Sequence, residues 1–163
     1  MMGSRPDGWW RDRPAAAVRL HTELTALAAS GRPVLPDDTE PEAFVMVLEG
    51  AARPAAARID AAAARIDAAA ARIDAGAARI DAGAARIDAG AARIDAAPGA
   101  GVRVVQADGS GDDAIVALVR DLPGRRVVVT ADRELRRRCE AAGAEVLGPG
   151  WLIRLFRERP GER

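Results

Sequence analysis

Four carboxylates stand where a parallel α/β sheet would gather them. Glu49 follows the apolar run from Phe44 to Leu48, Asp112 and Asp113 follow the turn Gly109-Ser110-Gly111, and Asp132 lies two residues beyond a run that ends at Thr130. In open parallel sheets, ligands collect outside the carboxyl ends of the strands. Carboxylates brought to one rim repel each other, and a doubly charged cation relieves that repulsion through hard oxygen ligands. These residue types at these places point to Mg²⁺ or Mn²⁺ shared among Glu49, Asp112, Asp113 and Asp132. The same acids have a structural use, because helix starts favour negative charge. Ser110-Gly111-Asp112-Asp113 approaches a capping box, Asp132 fits an N-cap for a helix from Arg133, and Glu49 can simply solubilise a loop. Spacing leaves both readings open.

The elements that would position these acids are legible from pattern. Asp12-Arg13-Pro14 is a cap followed by a proline in a first helical turn. Ala17, Leu20, Leu24, Leu27 and Ala28 then form a stripe at helical spacing that Gly31 is placed to end. Residues 43–48 form a short apolar run without alternation, as a strand buried on both faces reads. Val102–Val105, Val127–Thr130 and Glu145–Leu147 read as three further strands. Helical stripes lie between and after them: Ile115, Leu118, Val119 and Leu122; Leu135, Cys139 and Ala142, closed by Gly143; and Leu152, Leu155 and Phe156. Alternating strands and helices predict a mostly parallel sheet in an α/β domain covered on both faces.

An alanine-rich heptad repeat, residues 55–97, interrupts this pattern. The unit Ala-Arg-Ile-Asp recurs with arginine at 58, 65, 72, 79, 86 and 93 and isoleucine one position later. Alanine favours helix, and one isoleucine per heptad makes a thin seam of the kind a weak coiled coil uses. Gly76, Gly83 and Gly90 each cost about 1 kcal/mol relative to alanine in a helix. A continuous helix would extend on the order of 65 Å, longer than a small domain, so the repeat is expected to lie outside the core. It reads either as an expansion tolerated in a surface loop or as a seam for homo-oligomerisation. The remainder, residues 1–54 and 98–163, forms one domain.

The chain has 163 residues, zero formal net charge, one cysteine and one histidine. Zero net charge argues against coating nucleic acid by charge alone, and a single cysteine excludes an internal disulfide. From Arg120 onward, however, eleven arginines face seven acidic residues, so one end can meet phosphates. Lysine, asparagine and tyrosine are absent from an Ala-, Arg-, Gly- and Pro-rich chain, the mark of GC-rich coding. No apolar run approaches the roughly 20 residues needed to cross a bilayer, and no signal peptide is evident, so a cytoplasmic protein without a membrane partner is expected.

Four segments in this order resemble the YacP-like NYN branch of the PIN-like nucleases: residues 3–12 (GSRPDGWWRD), 45–50 (VMVLEG), 109–115 (GSGDDAI) and 130–135 (TADREL). The resemblance covers everything except the repeat and implies a three-layer α/β/α fold. It also implies a Mg²⁺- or Mn²⁺-dependent endoribonuclease in which Asp112 and Asp132 match the acidic motif positions. Glu49 and Asp113 then serve as supporting ligands or water-positioning groups. The family's first strand, which ends in an Asp-x-x-Asn motif and lies between the Phe44 and Val127 strands, has no counterpart after Met1. The natural start is therefore expected upstream. A non-catalytic RNA-binding or regulatory module is the alternative.

Other residues carry weaker signals. His21 stands one step off its helix's apolar stripe, as a boundary residue does. Cys139 lies on an apolar stripe, as a structural thiol does. Arg133, Arg136, Arg137 and Arg138 can grip RNA phosphates beside Asp132 or form a solvated helix face. Trp9 and Trp10 can stack on unpaired bases or cover the core.

Overall fold

A computed structural model of the chain describes residues 11–65, 68 and 101–158. Helix α1 spans Arg13–Ala29, and the Asp12 side chain caps it by accepting the Ala15 N–H at 2.9 Å. Pro14 sits in the first turn, where its missing N–H costs nothing. The helix buries Ala16, Ala17, Leu20, Leu24 and Leu27, and Gly31 leaves it at φ +56°, a left-handed geometry that favours glycine. Strand β1, Phe44–Leu48, follows, then a single 3₁₀ turn at Gly50–Ala52 and a helix α2 whose described run covers 55–65.

Beyond the repeat come β2 (Val102–Gln106), α3 (Gly111–Asp121), β3 (Val127–Val129), α4 (Arg133–Ala141), β4 (Glu145–Leu147) and α5 (Pro149–Arg157). The chain is thus mixed α/β, with parallel strands as expected. One continuous sheet was expected, but the strands pair as β1 with β2 and β3 with β4, Met46 opposite Val104 and Val128 opposite Val146. No ladder joins the two pairs among the described residues. No described helix is long and apolar enough to cross a membrane.

Two cores correspond to the two strand pairs. The larger gathers Leu20, Leu24 and Leu27 of α1, Met46 and Leu48 of β1, Val34 and Leu152. The smaller gathers Val116 and Val119 of α3, Leu135 and Cys139 of α4, and Ala144. Strand β3 serves both: Val129 packs on the larger core and Val128 on the smaller, as side chains alternating across a strand require.

The start of the repeat departs from expectation. Ala55, Ala56 and Ile59 are 0%, 5% and 6% exposed and belong to the larger core, whereas residues 60–65 are exposed. The first heptad is therefore core-forming, because α2 begins against α1 and carries its first isoleucine inward. The isoleucines from Ile66 onward, and with them the oligomerisation seam, lie outside the described residues.

Candidate functional site

The carboxyl ends of β1 and β3 and the amino ends of α3 and α4 carry all four sequence-predicted acids. At the first, Ala107 N–H extends the β1–β2 ladder by donating to the Leu48 carbonyl at 2.8 Å. Glu49 then continues in extended conformation, and its Oε2 accepts the N–H of Gly111, the first residue of α3, at 2.7 Å. A carboxylate on an unpaired first-turn amide gains both a charge-assisted hydrogen bond and the helix dipole. Glu49 is thus a tie between β1 and α3 that spans 62 residues of sequence.

Half of the expected capping box forms. Ser110 Oγ accepts the Asp113 N–H at 3.4 Å, but the Asp113 carboxylate turns away to the guanidinium of Arg138 on α4. That contact holds the Arg138 guanidinium above its usual range, chiefly through the hydrogen bond to Asp113.

At the second end, Asp132 is the N-cap of α4. Its Oδ1 accepts the N–H groups of Glu134 at 2.7 Å and Leu135 at 2.9 Å. Thr130, 6% exposed, steadies the turn by accepting the Asp132 N–H on Oγ1 at 3.0 Å. Thr130 N–H in turn donates to the Leu147 carbonyl at 3.1 Å, which ties the turn to β4.

Asp112 lies between these two anchors. Burial is the first cause that pushes its carboxyl above the usual range; the negative charges of Asp132 and Glu49 come next, opposed by Arg138. Acids from the ends of both strand pairs therefore act on one carboxyl. Coulomb coupling reaches further than coordination, which needs oxygens within about 2.0–2.6 Å of the ion. As they stand, no three acidic, histidine or cysteine side chains among the described residues are gathered closely enough to hold a metal. Carboxylate oxygens are the donor type a hard divalent cation takes.

The α4 arginines are largely committed. Arg136 pairs with Glu140 at 3.7 Å, Arg137 with Glu134, and Arg138 with Asp113. The Arg136 and Arg137 pairs are exposed and therefore weak, and Arg133 is exposed at the start of the helix. Gly111 and Thr130 were not singled out in the sequence. The glycine in Gly109-Ser110-Gly111 and a threonine two residues before a capping aspartate are the only signals that could have found them.

Away from the rim, His21 is a boundary residue whose imidazole is pushed down by burial, against the pull of Asp60. Cys139 is 0% exposed, and burial pushes its thiol up, as suits a structural rather than a nucleophilic cysteine. Trp9 and Trp10 lie outside the described residues. Comparison of the chain with protein-family models, curated proteins and solved structures gives no match.

Proposed function

We propose that the chain is a PIN-like α/β/α domain of the NYN type whose acidic rim hydrolyses RNA phosphodiesters with Mg²⁺ or Mn²⁺, in a cytoplasmic setting. One observation carries this reading: Asp112 on α3 stands where burial first, and then the charges of Asp132 and Glu49 from the ends of two different strand pairs, push its carboxyl above the usual range. The strand pairing is compatible with it: β1–β2 and β3–β4 share no ladder among the described residues, and the resemblance puts a further strand between the Phe44 and Val127 strands.

Asp112 and Asp132 would hold the cation, with Glu49 and Asp113 beside them. A bound divalent cation supplies charge neutralisation at the phosphate and acidifies a water molecule. This chain's residues do the rest. In hydrolysis a water oxygen bonds to phosphorus as its proton passes to a carboxylate, the bond from phosphorus to the leaving ribose oxygen breaks, and that oxygen takes up a proton from solvent to leave as a hydroxyl. Glu49 or Asp113, which stand beside the cation ligands, suit that acceptor role, because a carboxylate directly on a divalent cation gives up its basicity. Arg133, Arg136 and Arg137 flank the rim and steady the RNA phosphates by forked hydrogen bonds.

A second reading has its own observation. Asp132 and Glu49 already cap α4 and α3, which a catalytically silent RNA-binding or regulatory module would also require. A nuclease assay with Mn²⁺ and single-stranded RNA separates the two. Cleavage is expected to fall about a hundredfold or more in Asp112→Asn and Asp132→Asn. Cleavage indifferent to both substitutions excludes the mechanism, and RNA binding without any cleavage favours the silent module.

A further inference from the structure

The larger core seats a short peptide that the sequence spells more than once. At the start of α2, Ala55, Ala56 and Ile59 are 0%, 5% and 6% exposed, while Ala57, Arg58 and Asp60 are exposed. The seated unit is Ala-Ala-Ala-Arg-Ile-Asp, residues 55–60, and the same six residues recur unchanged at 62–67 and 69–74. The later units differ, because each puts a glycine, Gly76, Gly83 or Gly90, at the place that Ala55 holds in the first. Glycine there would leave a methyl-sized void in the core and weaken the helix. The seat therefore fits residues 62–67 and 69–74 as well as it fits the unit it holds.

We propose that this seat is a binding site for the Ala-Ala-Ala-Arg-Ile-Asp unit, and that residues 62–67 enter it when residues 55–60 cannot. A shift of one heptad slides the helix by about 10.5 Å along its axis and returns the same side-chain types to the same places. Ala62, Ala63, Ala64 and Arg65 are exposed, so they give up no burial in moving inward. Asp60 stands just before Ala61 and offers an N-cap to a helix that begins there. The cost is one heptad added to the connection after Arg53, and loop closure grows only with the logarithm of loop length. So short a tether also keeps the second unit at high effective concentration beside the seat, which favours this chain's own residues over those of a second copy. Damage to the first unit then shifts the register of the repeat instead of emptying the core.

The test is a mutant cycle read by thermal melting of the full chain. Ile59→Asp bars the first unit, since an unpaired carboxylate is too costly to bury. It is expected to melt cooperatively and only about 2–4 °C below the parent, the shift that a longer surface loop gives a chain of this size. Ile66→Asp/Ile73→Asp, with Ile59 intact, should melt with the parent. Ile59→Asp/Ile66→Asp/Ile73→Asp should fall roughly a further 5–10 °C, because no matching unit remains to fill the seat. Such coupling between isoleucines a heptad apart is what independent sites do not show. A triple variant that melts with Ile59→Asp, an Ile59→Asp chain without a cooperative transition, or a loss already present in Ile66→Asp/Ile73→Asp overturns the proposal. A melting temperature of Ile59→Asp that rises with protein concentration would give the seat to a second copy and overturns it as well.

Discussion

The two cores are built in opposite ways. The larger draws its residues from Ala17 through Ile59 to Leu152, nearly the full length of the described chain, whereas the smaller is assembled from one stretch, Ile115 to Val146. Contacts local in sequence close short loops at little entropic cost, and distant ones must close long loops first. The acidic rim lies where the two constructions meet. Glu49 comes from the half built at long range; Asp112, Asp113 and Asp132 come from the half built locally. The seam is closed by packing of Val129 on the larger core and by hydrogen bonds such as the one from Gly111 to Glu49, with no shared strand ladder among the described residues.

The strongest way to break this comparison is to hollow out each core in turn. Leu48 is 1% exposed and Leu135 is 3% exposed, so Leu48→Ala and Leu135→Ala should each cost about 2–5 kcal/mol in urea unfolding. Both should move one common transition, because β3 belongs to both cores; two separate transitions would make the halves independent units. Ile59→Ala comes next, at about 2 kcal/mol, the low end for such truncations because alanines surround the site and can close on it. Arg58→Ala, exposed one position earlier, should stay within about 0.5 kcal/mol. Equal effects at 58 and 59 would remove the first heptad from the core.

At the rim, Asp132→Ala should lose about 1 kcal/mol, since two N–H groups of α4 lose their acceptor. Thermal melting that is unchanged would show the cap to be redundant. Asp112→Asn should act in the opposite direction. The folded Asp112 carboxyl has a pKa raised above 3.8, so the native state holds more protons than the unfolded chain, and stability falls as pH rises from 3.8 through the raised value. Removing the charge should lift the melting temperature at neutral pH by about 1–3 °C and make no difference well below pH 3.8, where both states are protonated. A fall at neutral pH would mean that the α3 dipole outweighs burial and the neighbouring acids.

The smallest effect is expected at Arg125, which ties Asp37 before β1 to Glu145 on β4 at 2.5 and 2.7 Å. The contact joins the two halves but is exposed, so Arg125→Ala should change the melting temperature little, and less still in high salt. A large salt-dependent loss would make this pair a principal fastener of the seam.

Much of the local structure was legible in advance. The caps Asp12 and Asp132, the helix ends Gly31 and Gly143, and the buried stripe of α1 all rest on contacts within about one helical turn. Residue type and spacing therefore suffice to place them. The stripe of α3 was legible only in part: Val116 is buried at 3% exposure where Ile115 and Leu118 were expected to lead, because α4 sets which face of α3 is covered. At the rim, spacing indicated which acids stand at strand ends but not what each would touch. Asp113 was read as reaching back to its own helix, yet Arg138, 25 residues on, offers a full charge where the backbone offers a partial one.

The amino-acid sequence by itself determined the order and type of the elements, the parallel sense of the strands and the acids at their ends, since these follow from periodicity, propensity and capping over a few residues. Only the tertiary structure decided that the strands form two pairs, that Ile59 of the repeat enters the core, and that Glu49 crosses 62 residues to bind Gly111. Such contacts depend on which surfaces meet after distant segments close on one another, and no local pattern encodes that outcome.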